Sequence, residues 1–155
     1  MLIELTVNHQ PRQAEISSQT RLIDLLRETF GLTSVKEGCG VGECGACTVL
    51  LDEAPVCSCL TPAVQARGRR ILTVEGLSQG GELDPIQEAF VKYDASQCGC
   101  CTPGMILTAK ALLINNPSPT RAEIKKALAG NLCRCTGYIP IINAVEEAAN
   151  KTVRP

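Results

Sequence analysis

Ten consecutive positions hold three cysteines and four glycines: Gly38-Cys39-Gly40-Val41-Gly42-Glu43-Cys44-Gly45-Ala46-Cys47. Cysteines placed this densely among glycines rarely serve packing. Glycine adopts positive φ readily and lets backbone N–H groups approach a sulfur atom closely. The stretch therefore predicts a loop that wraps around a metal centre, with the glycines as part of the site.

The spacing of these cysteines is Cys-x4-Cys-x2-Cys, which is the spacing of the plant-type ferredoxin loop. Such a loop needs a fourth thiolate from further along the chain to complete the four-cysteine ligation of a 2Fe-2S cluster. Cys59 is the best candidate, and Cys57 competes with it. The first half of the chain is therefore predicted to hold one 2Fe-2S cluster.

Composition narrows the classes of protein that the chain can represent. It has 155 residues, ten cysteines, 3% aromatic residues and a formal net charge of -1. Few aromatic residues and no basic excess argue against nucleic-acid binding. With no apolar run of about eighteen residues and no secretory leader, we expect a cytoplasmic protein without a membrane span. In a reducing compartment, closely spaced cysteines indicate metal ligation rather than disulfides.

The first half of the sequence predicts a small mixed sheet with one helix. Apolar residues recur at helical spacing from Arg21 to Phe30, with Thr20 as the expected N-cap and Gly31 as the expected end. The strand signals are β-branched or alternating segments bounded by turns. The expected strands are Leu2–Val7, Arg12–Ile16, Thr48–Leu51, Val56–Leu60 and Ile71–Val74.

The second half predicts helices only. Strand signals vanish after a stretch of glycines and polar residues, so we divide the chain into a sheet domain (1–76), a linker (77–83) and a helical domain (84–155). One helix is opened by the capping box Thr120-Arg-Ala-Glu123. The expected helices are Pro85–Tyr93, Pro103–Asn115, 120–129 and Pro140–Lys151. The predicted fold class is α+β.

A second set of cysteines precedes two of these helices, as Cys98-Gly-Cys100-Cys101 and Cys133-Arg-Cys135. Helices packed by their apolar sides would bring both segments to one end of the bundle, where helix N-termini favour anionic thiolates. A pair spaced Cys-x-Cys is unusual for zinc, whose paired ligands are usually two to four residues apart. The pattern therefore favours a second iron site over a structural zinc module.

Four motifs carry a resemblance to a known family: Cys39-Gly-Val-Gly-Glu-Cys44-Gly-Ala-Cys47-Thr-Val, Ser58-Cys59-Leu60, Gln97-Cys98-Gly-Cys-Cys101-Thr-Pro-Gly-Met105 and Gly130-Asn-Leu-Cys133-Arg-Cys135-Thr-Gly-Tyr138. They strongly resemble the small iron–sulfur subunit of the xanthine dehydrogenase, or molybdenum hydroxylase, family. The likeness covers nearly the whole chain, in the order and at the spacing of that family.

The resemblance implies a plant-type ferredoxin-like (β-grasp) domain followed by a four-helix bundle domain, each with one 2Fe-2S cluster. It assigns one cluster to four cysteines of the first half: Cys39, Cys44, Cys47 and Cys59. It assigns the other to four cysteines of the second half: Cys98, Cys101, Cys133 and Cys135. Gln97 and Gly99 are implied as contacts of a neighbouring cofactor, the molybdopterin of a partner.

The implied function is electron transfer inside a heteromeric oxidoreductase. Electrons would pass one at a time from the molybdopterin of a large subunit, through the two clusters, to FAD on a medium subunit or to another acceptor. The implied assembly is a dimer of heterotrimers, and the chain itself would catalyse no bond-making step. A free-standing two-cluster carrier is the alternative.

Two of the ten cysteines are left over, Cys57 and Cys100. Relatives usually have a bulky apolar residue at the position of Cys100, so we expect Cys100 to be a small buried hydrophobe. A register swap, with Cys100 in place of Cys101 as ligand, is the competing hypothesis. Thr102-Pro103-Gly104 after Cys101 fits the family pattern and favours Cys101.

Overall fold

The computed structural model describes residues 1–153, which form one mixed five-stranded sheet with a short helix, followed by four further α-helices. The strands are β1 (Leu2–Val7), β2 (Gln10–Glu15), β3 (Thr48–Leu51), β4 (Ala54–Cys57) and β5 (Arg70–Leu72). They lie side by side in the order β2-β1-β5-β3-β4. β5 runs parallel to β1 and antiparallel to β3.

Two tight hairpins join neighbouring strands. Asn8 and His9 connect β1 to β2 with φ values of 50° and 67°, and Asp52 and Glu53 connect β3 to β4 with φ values of 47° and 70°. Two consecutive residues at positive φ are typical of the two-residue turn whose twist matches that of the paired strands. Asn and Asp tolerate this conformation better than most residues, which explains why they occupy the first position of each turn.

The predicted first helix exists, but its start and its geometry differ from the prediction. α1 (Leu22–Asp24) continues directly into a π-helical turn (Leu25–Thr29). Thr20 is not the N-cap, because its hydroxyl accepts the N–H of Ser17 at 3.1 Å and the helix starts one residue later without a side-chain cap. The apolar face of this helix packs against the sheet through Leu22, Ile23, Leu25 and Leu26, all buried.

Strand ends also differ from the predictions. β4 ends at Cys57 rather than Leu60, which leaves Cys59 in a turn after the strand. β5 ends at Leu72, and Val74 begins a short 3-10 helix instead of closing the sheet. Isolated apolar residues next to a turn carry no period, so sequence alone could not separate these turns from the strands.

The helices of the second half follow the predicted order: α2 (Pro85–Lys92), α3 (Thr102–Asn115), α4 (Arg121–Ala127) and α5 (Ile139–Val153). The predicted capping box of α4 is present, with the Thr120 hydroxyl accepting from Glu123 N and the Glu123 carboxylate accepting from Thr120 N. α2 has a second capping box between Asp84 and Gln87, which the sequence analysis missed. Within residues 1–153, no helix is long and apolar enough to cross a membrane.

Two hydrophobic cores hold the structure together, and the predicted α+β class is confirmed. One core lies between the sheet and α1. The other lies among the four helices, and it includes Leu50 of β3 and Leu77. Since β3 contributes alternate side chains to both cores, α3 packs directly against the sheet. The sheet and the helices therefore pack directly against each other.

Asp84 allows a test of what stabilises the packing of α2 and α3 in the second half. Its carboxylate accepts from Ile86 N at 3.1 Å and from Lys110 Nζ at 2.6 Å, so it caps α2 and pairs that helix with α3. Asp84→Ala should lower the free energy of unfolding by about 1–2 kcal/mol, mainly through loss of the cap. Urea unfolding followed by circular dichroism measures the change.

Asp84→Asn is the matched control for this prediction. Asparagine caps a helix about as well as aspartate but cannot pair with Lys110 as an ion. It should therefore cost clearly less than Asp84→Ala. Equal losses for the two variants would contradict the capping role and point to the ion pair instead.

Candidate iron–sulfur sites

The first cysteine loop, residues 38–47, turns its backbone N–H groups toward the sulfur of Cys39. The nitrogens of Val41, Glu43 and Cys44 lie 3.4, 3.3 and 3.4 Å from this sulfur. These donors lower the pKa of the Cys39 thiol to about 6, with the N–H of Cys44 contributing most. The turn depends on three glycines with φ between 69° and 79°: Gly40, Gly42 and Gly45.

Cys47 and Cys59 form the inner side of the same site. Both are buried, and the Cys59 thiol is hydrogen-bonded to Cys47. Burial, and then this contact, raise the pKa of Cys59 to about 11. The structure therefore gathers the four predicted cysteines of the first half into an exposed side, with Cys39 and the half-buried Cys44, and a buried side.

Cys57 lies beside this set. Its sulfur is half-buried and donates to the carbonyl oxygen of Gly42 at 3.7 Å. Burial raises the pKa of its thiol, and the neighbouring Cys59 adds to the effect. Cys57 thus contacts the backbone of the loop and, like Cys59, the thiol of Cys47. The preference for Cys59 as the fourth ligand therefore remains a prediction.

The second set of cysteines also divides into an exposed and an inner side. Cys98 and Cys135 are exposed and hydrogen-bonded to each other through their thiols. Cys101 and Cys133 are half-buried and likewise in contact, and burial raises the pKa of Cys101 to about 12, with Cys133 adding to it. The loops before α3 and α5 therefore converge, as predicted.

Thr136 and Tyr138 support Cys133, and the sequence analysis did not identify them as site residues. Burial opposes ionisation of the Cys133 thiol, but the Thr136 hydroxyl, 3.1 Å from the sulfur, lowers its pKa. The phenol oxygen of Tyr138 accepts the N–H of Cys133 at 3.0 Å. The sequence signal that could have identified them is the position of a threonine and a tyrosine just after the Cys133-Arg-Cys135 pair.

The expectation for Cys100 was wrong, because its side chain is exposed rather than buried. It lies at the exposed end of its loop, where its thiol is hydrogen-bonded to that of Cys98, and this contact raises its pKa. The N–H of Cys100 also donates to the Cys98 sulfur and lowers the pKa of Cys98. Nearby, Gln97 is exposed and Gly99 takes a φ of 84°.

The thiols of each site contact one another, and Cys47 and Cys98 each contact two other cysteines. Among residues 1–153, no three Cys, His, Asp or Glu side chains converge as a single metal ion requires. A 2Fe-2S cluster needs a different arrangement, with two thiolates at each of two irons. Among the predicted ligands, Cys39 contacts Cys44 and Cys47 contacts Cys59 in the first site. In the second site Cys98 contacts Cys135 and Cys101 contacts Cys133, so both sets fit that donor pattern. Both sites therefore suit this cluster.

The two sites touch through their backbones. Leu132 N donates to the carbonyl oxygen of Cys44 at 2.9 Å. Cys44 belongs to the first set of cysteines, and Leu132 directly precedes Cys133 of the second set, so this hydrogen bond links the two sites. Space at this junction is minimal. A Cβ atom on Gly104 would lie 2.3 Å from Gly45 O, and one on Gly45 would lie 2.4 Å from Gly130 O.

Fold and site together define a two-cluster iron–sulfur protein of the electron-transfer class, and comparison with known families agrees. Residues 5–73 match the family model of the 2Fe-2S iron-sulfur cluster binding domain. Residues 73–146 match the model of the 2Fe-2S binding domain. The ferredoxin-like character of the first half and the helical character of the second are thereby supported by sequence as well as by structure.

Relatives identify the family. The nicotinate dehydrogenase small FeS subunit of Eubacterium barkeri is 54% identical over 149 residues, covering 96% of this chain and 95% of the relative. The xanthine dehydrogenase iron-sulfur-binding subunit of Escherichia coli O157:H7 is 52% identical over 145 residues, covering 92% and 91%. A crystal structure of quinoline 2-oxidoreductase from Pseudomonas putida 86 superimposes with a TM-score of 0.95 at 50% identity, covering 98% and 94%.

The chain belongs to the xanthine dehydrogenase, or molybdenum hydroxylase, family as its small 2Fe-2S iron–sulfur subunit. Its role is electron transfer within an oxidoreductase, and it is not itself the catalytic subunit. The resemblance that the four cysteine motifs carry is thus confirmed.

Gly104 tests the tight junction between the sites. Gly104→Ala should lower the free energy of unfolding by about 1–3 kcal/mol, because the added methyl group overlaps the carbonyl oxygen of Gly45. Gly130→Ala is the control, since a Cβ there meets nothing within 4 Å and neither glycine needs a positive φ. Denaturant unfolding of both variants measures the difference, and equal stability would contradict the close packing.

Cysteine variants test the predicted ligands. Cys57→Ala and Cys100→Ala should each retain about four iron atoms per chain, whereas Cys59→Ala and Cys101→Ala should each lose one cluster and retain about two. Iron and acid-labile sulfide analysis of the four purified proteins gives the counts. Loss of a cluster in Cys57→Ala or Cys100→Ala would reverse the assignment in that site.

Proposed function

We propose that the chain relays electrons one at a time from the molybdopterin of a large subunit to FAD on a medium subunit, or to another acceptor. The observation that carries this proposal is the direct contact between two thiol sites, each open to solvent on one side. A chain that joins two partners needs both features. Electrons would enter at the second site and leave at the first.

The proposed ligands of the first cluster are Cys39, Cys44, Cys47 and Cys59. Those of the second are Cys98, Cys101, Cys133 and Cys135. Each bound 2Fe-2S cluster would supply a one-electron carrier whose potential depends on hydrogen bonds to its sulfurs and on exposure. The matching division of the chain is a ferredoxin-like domain (1–76), a linker (77–83) and a four-helix bundle domain (84–155).

The residues of the chain prepare these sites for thiolates in different ways. Three backbone N–H groups donate to Cys39, one from Cys100 donates to Cys98, and the Thr136 hydroxyl contacts Cys133. Such donors stabilise the charged sulfur. The inner cysteines lie in apolar surroundings, where their charge needs the metal as a partner. The sites are therefore organised for ligation rather than for nucleophilic chemistry.

Exposed apolar side chains next to each site suggest where partners bind. Val41 and Leu60 are exposed beside the first site, and Leu132 and Ile139 beside the second. Ile139 and Tyr138 also line an open groove of about 330 Å³. Clustered apolar surface marks interaction sites more often than single exposed residues do.

We assign the first of these surfaces to the FAD-binding subunit and the second to the molybdopterin-binding subunit. Gln97 and Gly99 lie in the loop of the second site and are the proposed contacts of the pterin. The remaining parts of the proposal are a dimer of heterotrimers and a cytoplasmic location. Relatives at 50–54% identity are named for nicotinate, nicotine, xanthine and quinoline, which supports substrate selection by the large subunit rather than by this chain.

Purification of the native complex through an affinity tag on this chain tests the proposal. We expect two larger companion proteins, one with molybdopterin and one with FAD, and two distinct EPR signals from 2Fe-2S clusters after reduction. A chain that emerges alone with both signals would be the free-standing carrier. A colourless protein that contains zinc would exclude both functions.

A pair of valine variants tests the first partner surface in the same purification. Val41→Asp places a charge beside the first site, where the valine is 61% exposed, and should deplete the FAD-binding companion while the molybdopterin-binding companion stays. Val91→Asp makes the same change on α2 at a valine that is 71% exposed, and should deplete neither. Equal recovery of the FAD-binding protein from both variants would argue against this surface.

A further inference from the structure

Asn131 is a buried polar residue at the junction of the two cysteine sites, and neither the cysteine spacing nor the proposed ligation uses it. Its side chain is 4% exposed. The Nδ2 atom donates to Gly45 O at 3.0 Å and to Thr48 Oγ1 at 3.3 Å, and Oδ1 accepts from the Thr108 hydroxyl at 2.9 Å. One side chain therefore ties the first cysteine loop, β3 and α3 together.

Each of these contacts satisfies a group that the fold removes from water. The N–H and the hydroxyl of Thr48 also donate to Gly45 O, at 3.1 and 2.7 Å, so this carbonyl oxygen receives three hydrogen bonds inside the protein. Buried carbonyl oxygens and amides without partners are destabilising. The carboxamide of Asn131 has both donors and acceptor in use, which fixes its orientation.

The residue next to Asn131 makes the only direct backbone hydrogen bond described between the two cysteine loops, from Leu132 N to Cys44 O. Leu132 precedes Cys133, a proposed ligand of the second cluster, and Cys44 is a proposed ligand of the first. The Asn131 side chain donates a hydrogen bond to the carbonyl oxygen of Gly45, the residue after Cys44. The hydrogen bonds from Leu132 N to Cys44 O and from Asn131 Nδ2 to Gly45 O are therefore adjacent, since each segment contributes two consecutive residues.

We propose that Asn131 is a positioning residue that holds the two cysteine sites at a fixed separation by keeping the Leu132 N–H on the Cys44 carbonyl. This inference rests on the proposed function, since it concerns the spacing of two redox sites. Gly45 and Gly104 allow the close approach, because a Cβ atom on either would overlap a backbone oxygen, and the Asn131 carboxamide holds it. The register of the two loops then does not depend on a partner subunit.

Asn131→Asp is the test variant. It keeps the shape of the side chain but replaces both N–H donors with an oxygen that repels the carbonyl of Gly45. Amide hydrogen exchange at Leu132 should accelerate about tenfold or more, because local opening at this contact becomes easier. This measurement needs no bound cluster. In the reconstituted full chain, the magnetic interaction between the two reduced clusters should shrink while about four iron atoms per chain remain.

Asn8→Asp is the matched control. Asn8 also uses both ends of its carboxamide, accepting from Thr73 N at 2.8 Å and donating to Thr73 Oγ1 at 2.9 Å, but it lies in the β1–β2 hairpin away from both cysteine sites. Asn8→Asp should leave the exchange of Leu132 and the interaction between clusters as in the wild type. A role of Asn131 in general stability alone would make the two variants alike.

Thr48→Val decides the matter if Asn131→Asp does not retain both clusters. It removes one acceptor of the Asn131 side chain and one donor to Gly45 O, and should give a smaller change of the same sign in both measurements. Unchanged exchange and unchanged interaction in the retained variants would overturn the role of Asn131. A wild-type chain that binds fewer than two clusters would instead contradict the proposed function. Amide hydrogen exchange at Leu132 would still test the role of Asn131.

Discussion

The structure depends on a contact between its two halves, in which Leu132 N donates to Cys44 O and the Asn131 side chain donates to Gly45 O. A loop that aims its N–H groups at sulfur leaves its own carbonyl oxygens without partners inside the loop. The donor to Cys44 O comes from the helical half, from Leu132 N. Gly45 O accepts from Asn131 Nδ2 of that half and from the N–H and hydroxyl of Thr48 in β3. Formation of the first cysteine loop in its native shape is thereby linked to docking of the helices.

The division of each site into an exposed and an inner side reflects the cost of placing several thiolate charges close together. Thiols gathered this closely cannot all ionise without a metal, since like charges and burial both oppose it. The pKa of the exposed Cys39 falls because N–H groups surround it, whereas the pKa values of Cys59 and Cys101 rise because they are buried. Metal binding and closure of the inner side are therefore coupled, as in other proteins whose ligands must lose protons to bind.

Sequence reasoning predicted the features that repeat along the chain and missed those that depend on distant partners. The helical periodicity and the Thr120 capping box located α4, and the strand signals located β1 and β3 at their observed bounds. Thr20 failed as a cap because Ser17 engages its hydroxyl, and Cys100 was expected to be buried although its loop faces outward. Asn131 carried no local signal, since its partners are 23 to 86 residues away in the chain.

Solved structures similar to this chain differ in how much of their own length the shared fold occupies. The chain covers 94% of the quinoline 2-oxidoreductase chain but only 18% of the aldehyde oxidoreductase chain from Desulfovibrio gigas, and the TM-scores are 0.95 and 0.94. The same architecture thus occurs both as a chain of its own and inside a much longer one. In this chain, the junction at Asn131 joins the first cysteine loop, β3 and α3 through residues of the chain alone.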